Sequence, residues 1–411
     1  MRILFVARAN SIHTARWLHE IQEQKWDIHL FPVQSAGVHS ELRDVTVHNL
    51  LNYKPPGLHK SVCVQHSWPI SSGLHFVGRQ VERVIPNWRA RWLAHTIDRL
   101  QPDVVHTLGT QHGGYLALEA RKYVRDKFPP WILSLWGSDF HLFHRLPEHA
   151  ERLNAILSQC DYIIGEGQRD DQLVRQLGFK NTLLANLPAW GSIDPQWRIQ
   201  YGQPGPTSAR RTIAVKGYQG WYGRALVALR AIELCADQLQ GYCINVYSGD
   251  QRDVRIAAQL LSHATGLQVE LLPEMSHAEM LQVHGQARIS IGLAISDGLP
   301  AAMCEAMVMG SFPIQSHTSC AAEWFEDGVS GSLVHPEDPE AIAAAIRRAV
   351  TDDALVDRAA EINAQTIAER AQSATIHTRV IENYARVVAD NMQAATGPAA
   401  NMQTAPLRVV T

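Results

Sequence analysis

Asp297 and Glu305 stand eight positions apart in the stretch SDGLPAAMCEAMVMGSFPI (296–314), on either side of Gly298, Leu299 and Pro300. One carboxylate in a loop and a second more than a turn into a helix can accept hydrogen bonds from hydroxyls at two separate points of one ligand. What lies between them suits an anion. Pro300 is placed where a helix starts, and Gly310 where it is capped. The backbone N–H groups of Gly298, Leu299 and Ala301 then gather at the positive end of the helix dipole, a ready site for phosphate. Gly298 also lets a ligand approach the main chain closely. A diphosphate with hydroxyls on both sides is a nucleotide sugar, and these residues predict that ligand.

The elements that must hold the loop follow from the apolar pattern. ISIGLAI (289–295) is a buried strand, so SDGLP sits at its carboxyl end, the edge of a parallel sheet where ligands bind. RILFVA (2–7), DIHLFPV (27–33), DVVHTLG (103–109), WILSLWG (131–137) and DYIIGE (161–166) alternate with helical patterns in the same manner. A second series follows: TIAVKG (212–217), CINVYSG (243–249), QVELLP (268–273) and FPIQS (312–316). Between the two series the chain turns rich in Pro and Gly. The organisation predicted is a doubly wound α/β domain over 1–190, a linker over 191–211 and a second such domain over 212–372. A helix over 373–392 packs back on the first domain, and a disordered tail covers 393–411.

The chain has 411 residues, 46% hydrophobic and 19% charged, with a net charge of −3. A length of this order suits two domains, and the charge balance argues against a nucleic-acid partner. Cys63, Cys160, Cys235, Cys243, Cys304 and Cys320 are scattered without a C-x-x-C pair, as free thiols in a reducing cytoplasm would be. No run reaches the roughly 20 apolar residues of a membrane span. The expectation is a cytoplasmic protein.

DGLPAAMCEAMVMGSFPI, with EWFEDGVSGSLVHPEDPEAIAAAI (323–346), resembles the donor-site signature of the retaining family-four glycosyltransferases of the GT-B fold. The likeness runs from about Ala214 to Ala389 and more loosely over the whole chain. It implies two Rossmann-like domains facing each other across a cleft, with Asp297 on the donor-sugar hydroxyls and Glu305 on the ribose diol. Asp297 is one methylene shorter than the family's Glu, and Ser330-Gly331 replaces Asn-Gly. The family's Arg and Lys, which neutralise the leaving diphosphate, align with Lys216 and Arg224, their identities swapped and their spacing lengthened by the insert YQGWY. On the acceptor side the resemblance points to His13, His106 and Asp139. Trp136 stands in WGSDF where the family has His. LPEMSHAEM (272–280) falls where the base is read, and UDP, GDP and ADP all remain open.

The resulting expectation is a retaining hexosyltransferase that moves a sugar from a nucleotide diphosphate to a glycan or lipid-linked acceptor in cell-surface polysaccharide biosynthesis. The resemblance implies that it needs no cofactor and no metal, and no Asp-x-Asp motif is present. Arg79, Arg83, Arg89 and Arg91, interleaved with Trp88 and Trp92, suggest peripheral contact with the inner face of a membrane. A sugar-nucleotide 2-epimerase of the same fold and a non-catalytic nucleotide-sugar-binding protein are the alternatives.

Overall fold

In β1 (Arg2–Ala7) every residue from Ile3 to Ala7 is fully buried. A strand can hide both faces in this way only when helices cover both sides of its sheet. The computed structural model, which describes residues 1–34, 37–48, 57–65, 80–81 and 83–396, has that arrangement twice. The first sheet contains β1, β2 (Asp27–Pro32), β3 (Thr46–His48), β4 (Cys63–Gln65), β5 (Val104–Leu108), β6 (Trp131–Ser134), β7 (Tyr162–Ile164) and β8 (Thr182–Leu183). The second contains β9 (Thr212–Lys216), β10 (Cys243–Tyr247), β11 (Gln268–Leu271), β12 (Ala287–Gly292), β13 (Phe312–Ser316) and β14 (Ser332–Val334).

The strand orders are 4-3-2-1-5-6-7-8 and 11-10-9-12-13-14, and the strand pairs are parallel throughout. In each sheet the winding reverses beside the first strand, between β1 and β5 and between β9 and β12. Such a reversal splays the following loops apart and opens a crevice at the carboxyl edge. Three-residue strands such as β3, β4 and β14 are too short to show a period, and the sequence reading passed over them.

The segment 191–211 is less of a free linker than its composition suggests. It contains a short helix, Trp197–Tyr201, and its end is fastened to the second domain. The buried Arg210 guanidinium donates to the carbonyls of Ala287 and Met309, both at 3.1 Å, and Thr207 Oγ1 donates to Gly310 O at 2.7 Å. Gly310 ends the helix Ala301–Val308 with φ at 79°, the left-handed region that glycine enters freely.

The last helix, Ser373–Thr396, lies on the first domain, where Ile376, Val380 and Tyr384 share a core with Ile3 and Phe5. The helix runs past 393, where the tail was expected to begin, and residues 397–411 lie outside the described residues. Along helix Trp88–Leu100 the Trp and Arg pattern is largely packed inward. Trp88 and Arg89 are buried, and the Arg91 guanidinium lies 4.5 Å from the Tyr123 ring centre. Arg79 lies outside the described residues. Among those described, no helix is long and apolar enough to cross a membrane.

Tyr384 also reaches His106, its hydroxyl 2.6 Å from Nδ1, while Nε2 meets Ser134 Oγ at 2.8 Å. Tyr384→Phe should cost about 1–3 kcal/mol by leaving a fully buried ring nitrogen without its partner. Urea denaturation of the intact chain checks this, and an unchanged midpoint would show that the hydroxyl is dispensable.

Candidate active site

The two crevices face each other across a cleft of about 1000 Å³. Arg8 follows β1, Gly109 follows β5, Lys216 ends β9, and Asp297 follows the loop after β12, and all four line that space. The domains touch beside it through main chain. Gly298 comes so near the first domain that an added Cβ would overlap the Glu166 carboxylate and stand 3.0 Å from Gly137 Cα. Glu166 in turn accepts from Gly137 N at 2.7 Å and from Ala189 N at 3.2 Å. Burial, with Asp170 nearby, holds its carboxyl well above the ordinary range.

Further bonds cross at the same place. Trp190 Nε1 donates to Leu299 O at 3.0 Å, and Ser138 Oγ donates to Ser296 O at 3.0 Å. Helix Gln168–Gln176 begins at Gly167, which has no side chain to cap it, and its first N–H groups find Glu323 of the other domain instead. Gln168 N donates to Oε2 at 2.8 Å and Arg169 N to Oε1 at 3.0 Å.

On the second domain, helix Ala301–Val308 starts at Pro300 without a side-chain cap, and Leu299, Pro300 and Ala301 line the cleft. Its N-terminus is therefore open to an anion. Lys216 and Asp297, both half-buried, line the same space. Gly298 differs from the cradle role expected of it. Its N–H donates to the carboxylate of Asp297 at 2.9 Å, and its missing side chain serves the contact between domains.

Glu305 is 9% exposed. His277 Nε2 lies 2.7 Å from its Oε1, and Arg16 Nη1 approaches the same oxygen to 3.7 Å from the opposite domain. Burial alone would raise its pKa, but His277, His284 and Arg16 overcome that and hold it below the usual carboxylate value. The charged form is thereby kept as an acceptor.

His13 stands among these groups, within electrostatic reach of Arg16, Glu305, Lys216 and Asp297. Burial first, then Arg16, lowers it to about 4. At neutral pH it is an uncharged imidazole and a weak base. It lines the cleft, and its protonation state is set by its surroundings.

Three expected residues stand differently. Arg224 is turned from the cleft: Nε donates to Glu337 at 2.9 Å and Nη1 to the carbonyls of Trp221 and Gly223. The insert YQGWY causes this. It folds back beside the β12 loop, with Arg224 N bonded to Leu293 O and Tyr222 O to Ile295 N, so the guanidinium leaves on the other side. His106 is fully buried between Tyr384 and Ser134, lowered to about 3 by burial, and belongs to the core rather than an acceptor site. Asp139 reaches the cleft, but one carboxylate oxygen is occupied by Thr110 N, Thr110 Oγ1 and Trp136 N at 2.7, 2.9 and 2.8 Å. Burial raises it to about 7 against those bonds. It organises the two loops that carry Trp136 and Thr110.

Arg8, Glu166, Trp190 and His277 also contribute, and none of them is among the residues the sequence motifs single out. Arg8 had a signal, since it closes the first strand at the ligand edge. His277 lay within the loop 272–280, but nothing in the sequence tied it to Glu305. If Glu305 grips a ribose diol, Glu305→Ala should weaken nucleotide-diphosphate binding roughly ten- to a hundredfold. His277→Ala should weaken it less and in the same direction, and calorimetric titration with UDP and GDP checks both. Wild-type affinity in Glu305→Ala would remove the ribose role.

Two family models match the chain. Glycosyl transferases group 1 covers residues 214–366, and glycosyl transferase 4-like covers 2–67 and 74–165. No curated protein matches by sequence. Among solved structures, α,α-trehalose 6-phosphate synthase from Burkholderia multivorans is 13% identical with a TM-score of 0.68, covering 99% of each chain. Sucrose-phosphate synthase from Thermosynechococcus elongatus is 13% identical with a TM-score of 0.67, over 95% of this chain and all of the other. Anabaena HepE in complex with UDP-glucose is also 13% identical, with a TM-score of 0.65 over 94% of this chain and 100% of that one. Likeness at such identity concerns the fold, whereas the family models divide between the same two domains that the sheets define. The chain belongs to the GT-B glycosyltransferases, glycosyl transferase 4-like in its first half and glycosyl transferases group 1 in its second.

Proposed function

We propose that the protein transfers a sugar, with retention at the anomeric carbon, from a uridine diphosphate sugar to a glycan or lipid-linked acceptor in cell-surface polysaccharide synthesis. The observation that carries the reading is the convergence of Lys216, Asp297, Glu305 and an uncapped helix N-terminus on one cleft. Uridine is favoured because HepE, of the same fold, was captured with UDP-glucose and with UDP and glucose. Exposed Val84 and Ile85, beside Arg83, support peripheral contact with a membrane carrying the acceptor.

In this reading the diphosphate lies at the start of helix Ala301–Val308, beside Lys216. Negative charge grows on the diphosphate as the anomeric C–O bond breaks, so an ammonium and aligned amides stabilise the transition state more than the ground state. Asp297 accepts from sugar hydroxyls, and Glu305 from the ribose. With His13 lowered to about 4, it is a poor general base near neutrality. The acceptor oxygen attacks from the face the diphosphate leaves, forming the new C–O bond, and its proton passes to a diphosphate oxygen. No cofactor enters this scheme.

Proton NMR of the product formed from UDP-α-glucose tests retention, with an α-linked product expected and a β-linked one overturning it. Lys216→Ala should lower turnover by about 10²-fold with little change in KM. Arg224→Ala, whose guanidinium faces Glu337, should stay within about threefold of wild type; a loss equal to that of Lys216→Ala would restore it to the diphosphate. Asp297→Ala should keep UDP affinity while turnover of the sugar donor falls, and a parallel loss of UDP binding would place Asp297 on the nucleotide instead.

A further inference from the structure

The mouth of the cleft carries a set of residues that donor binding does not use. Arg152 lies over Tyr115, 5.3 Å from the ring centre, and the Tyr115 hydroxyl meets His149 Nδ1 at 2.8 Å. Phe143 packs edge-on to His149 at 4.7 Å on one side and to Trp221 at 5.5 Å on the other. Trp221 belongs to the second domain and Phe143 to the first, so the aromatic chain spans the opening. Trp221 packs in turn on Tyr222, and the Arg8 guanidinium contacts His112 Nε2.

Two properties of this rim define a ligand. Trp221 is 54% exposed although it is large and apolar, and it lines the cleft with Phe143 and Tyr115. Exposed aromatic faces at a cleft mouth suit the C–H face of a sugar ring. The polar members are Arg8, Arg152, His112 and His149, and none of them is an acid. Among the described residues, neither Arg8 nor Arg152 has a carboxylate within ion-pair distance. Asp139 is engaged with Thr110 and Trp136, Glu166 with Gly137 and Ala189, and Glu305 with His277, while Asp297 accepts from Gly298 N and forms no ion pair with Arg8 or Arg152 among the described residues. Both guanidinium groups are exposed, and a carboxylate or phosphate pairs with the guanidinium fork at two points, which a neutral sugar cannot do.

We infer that the acceptor is an anionic sugar, its ring held by the Tyr115–Phe143–Trp221 aromatics and its negative group by Arg152 and Arg8. This rests on the transferase reading above. It also gives a role to the insert YQGWY, which carries Trp221 across the opening. The charge can come from a uronic-acid carboxylate or from a sugar phosphate, since a guanidinium pairs with either.

The test is competition NMR on the full chain saturated with UDP, using three probes: methyl α-glucoside, methyl α-glucuronide and glucose 1-phosphate. At least one charged probe should bind about tenfold more tightly than the neutral glucoside. Arg152→Gln and Arg8→Gln should each erode that preference, and Trp221→Ala should weaken all three probes together. Preference for the glucuronide alone assigns a uronate acceptor, and preference for the phosphate alone assigns a phosphosugar. Equal binding of neutral and charged probes, or a preference that survives both Arg substitutions, overturns the inference. UDP titration separates the two levels: failure of the wild type to bind UDP defeats the transferase reading itself, while UDP binding without charge preference defeats only the anionic acceptor. Circular dichroism of each variant confirms that the fold is retained.

Discussion

The contact on which this molecule is built is a backbone one. Gly298 of the second domain lies against Gly137 and the Glu166 carboxylate of the first, closer than any side chain permits. Two facing sheets with ragged loops would otherwise meet on side chains and leave a wide, wet gap. Here the loop bearing Asp297 is drawn against the loop bearing Trp136, and the reactive groups of one domain come within electrostatic reach of the other. Arg16 beside Glu305 and Lys216 beside His13 both depend on that approach. In a cleft narrowed this way water is scarcer, and fixed charges act more strongly than they do on a surface.

The closure is reinforced by bonds that each domain lacks alone. Helix Gln168–Gln176 has no local cap and receives Glu323 from across the gap. The Trp190 indole is satisfied by Leu299 O, just before the helix that offers its N-terminus to an anion. Desolvated polar groups that find partners only in the other domain favour one relative orientation. Positioning of the site and docking of the domains are thus a single physical problem, solved by the same loops.

The buried ionisable groups divide by what surrounds them. His106, between Tyr384 and Ser134 in an apolar core, is held neutral and fastens the final helix to the first sheet. Glu305 is also buried yet remains charged, because the hydrogen bond from His277 and the Arg16 guanidinium offset the burial. Asp139, with only neutral donors around one oxygen, is pushed the other way. Burial is common to all three, and the sign of the neighbours decides which one can serve a ligand.

The sequence by itself determined the two doubly wound domains, because strands buried on both faces leave continuous apolar runs that no other packing tolerates. It also determined the loop–helix that carries Asp297 and Glu305, since Pro300 and Gly310 fix that helix within a few residues of chain. What only the tertiary structure decided is set by residues far apart in the chain. His277 and Glu305, 28 positions apart, pair through side chains. Glu323 caps a helix about 155 positions away, and Gly298 leaves room for the Glu166 carboxylate, which an added Cβ would overlap. Arg224 and His106 looked available because a cation at a helix start and a His at a strand end leave the same trace whether they face solvent, a cleft or a core. The direction of a side chain depends on what packs against it, and an insert as short as YQGWY is enough to reverse it.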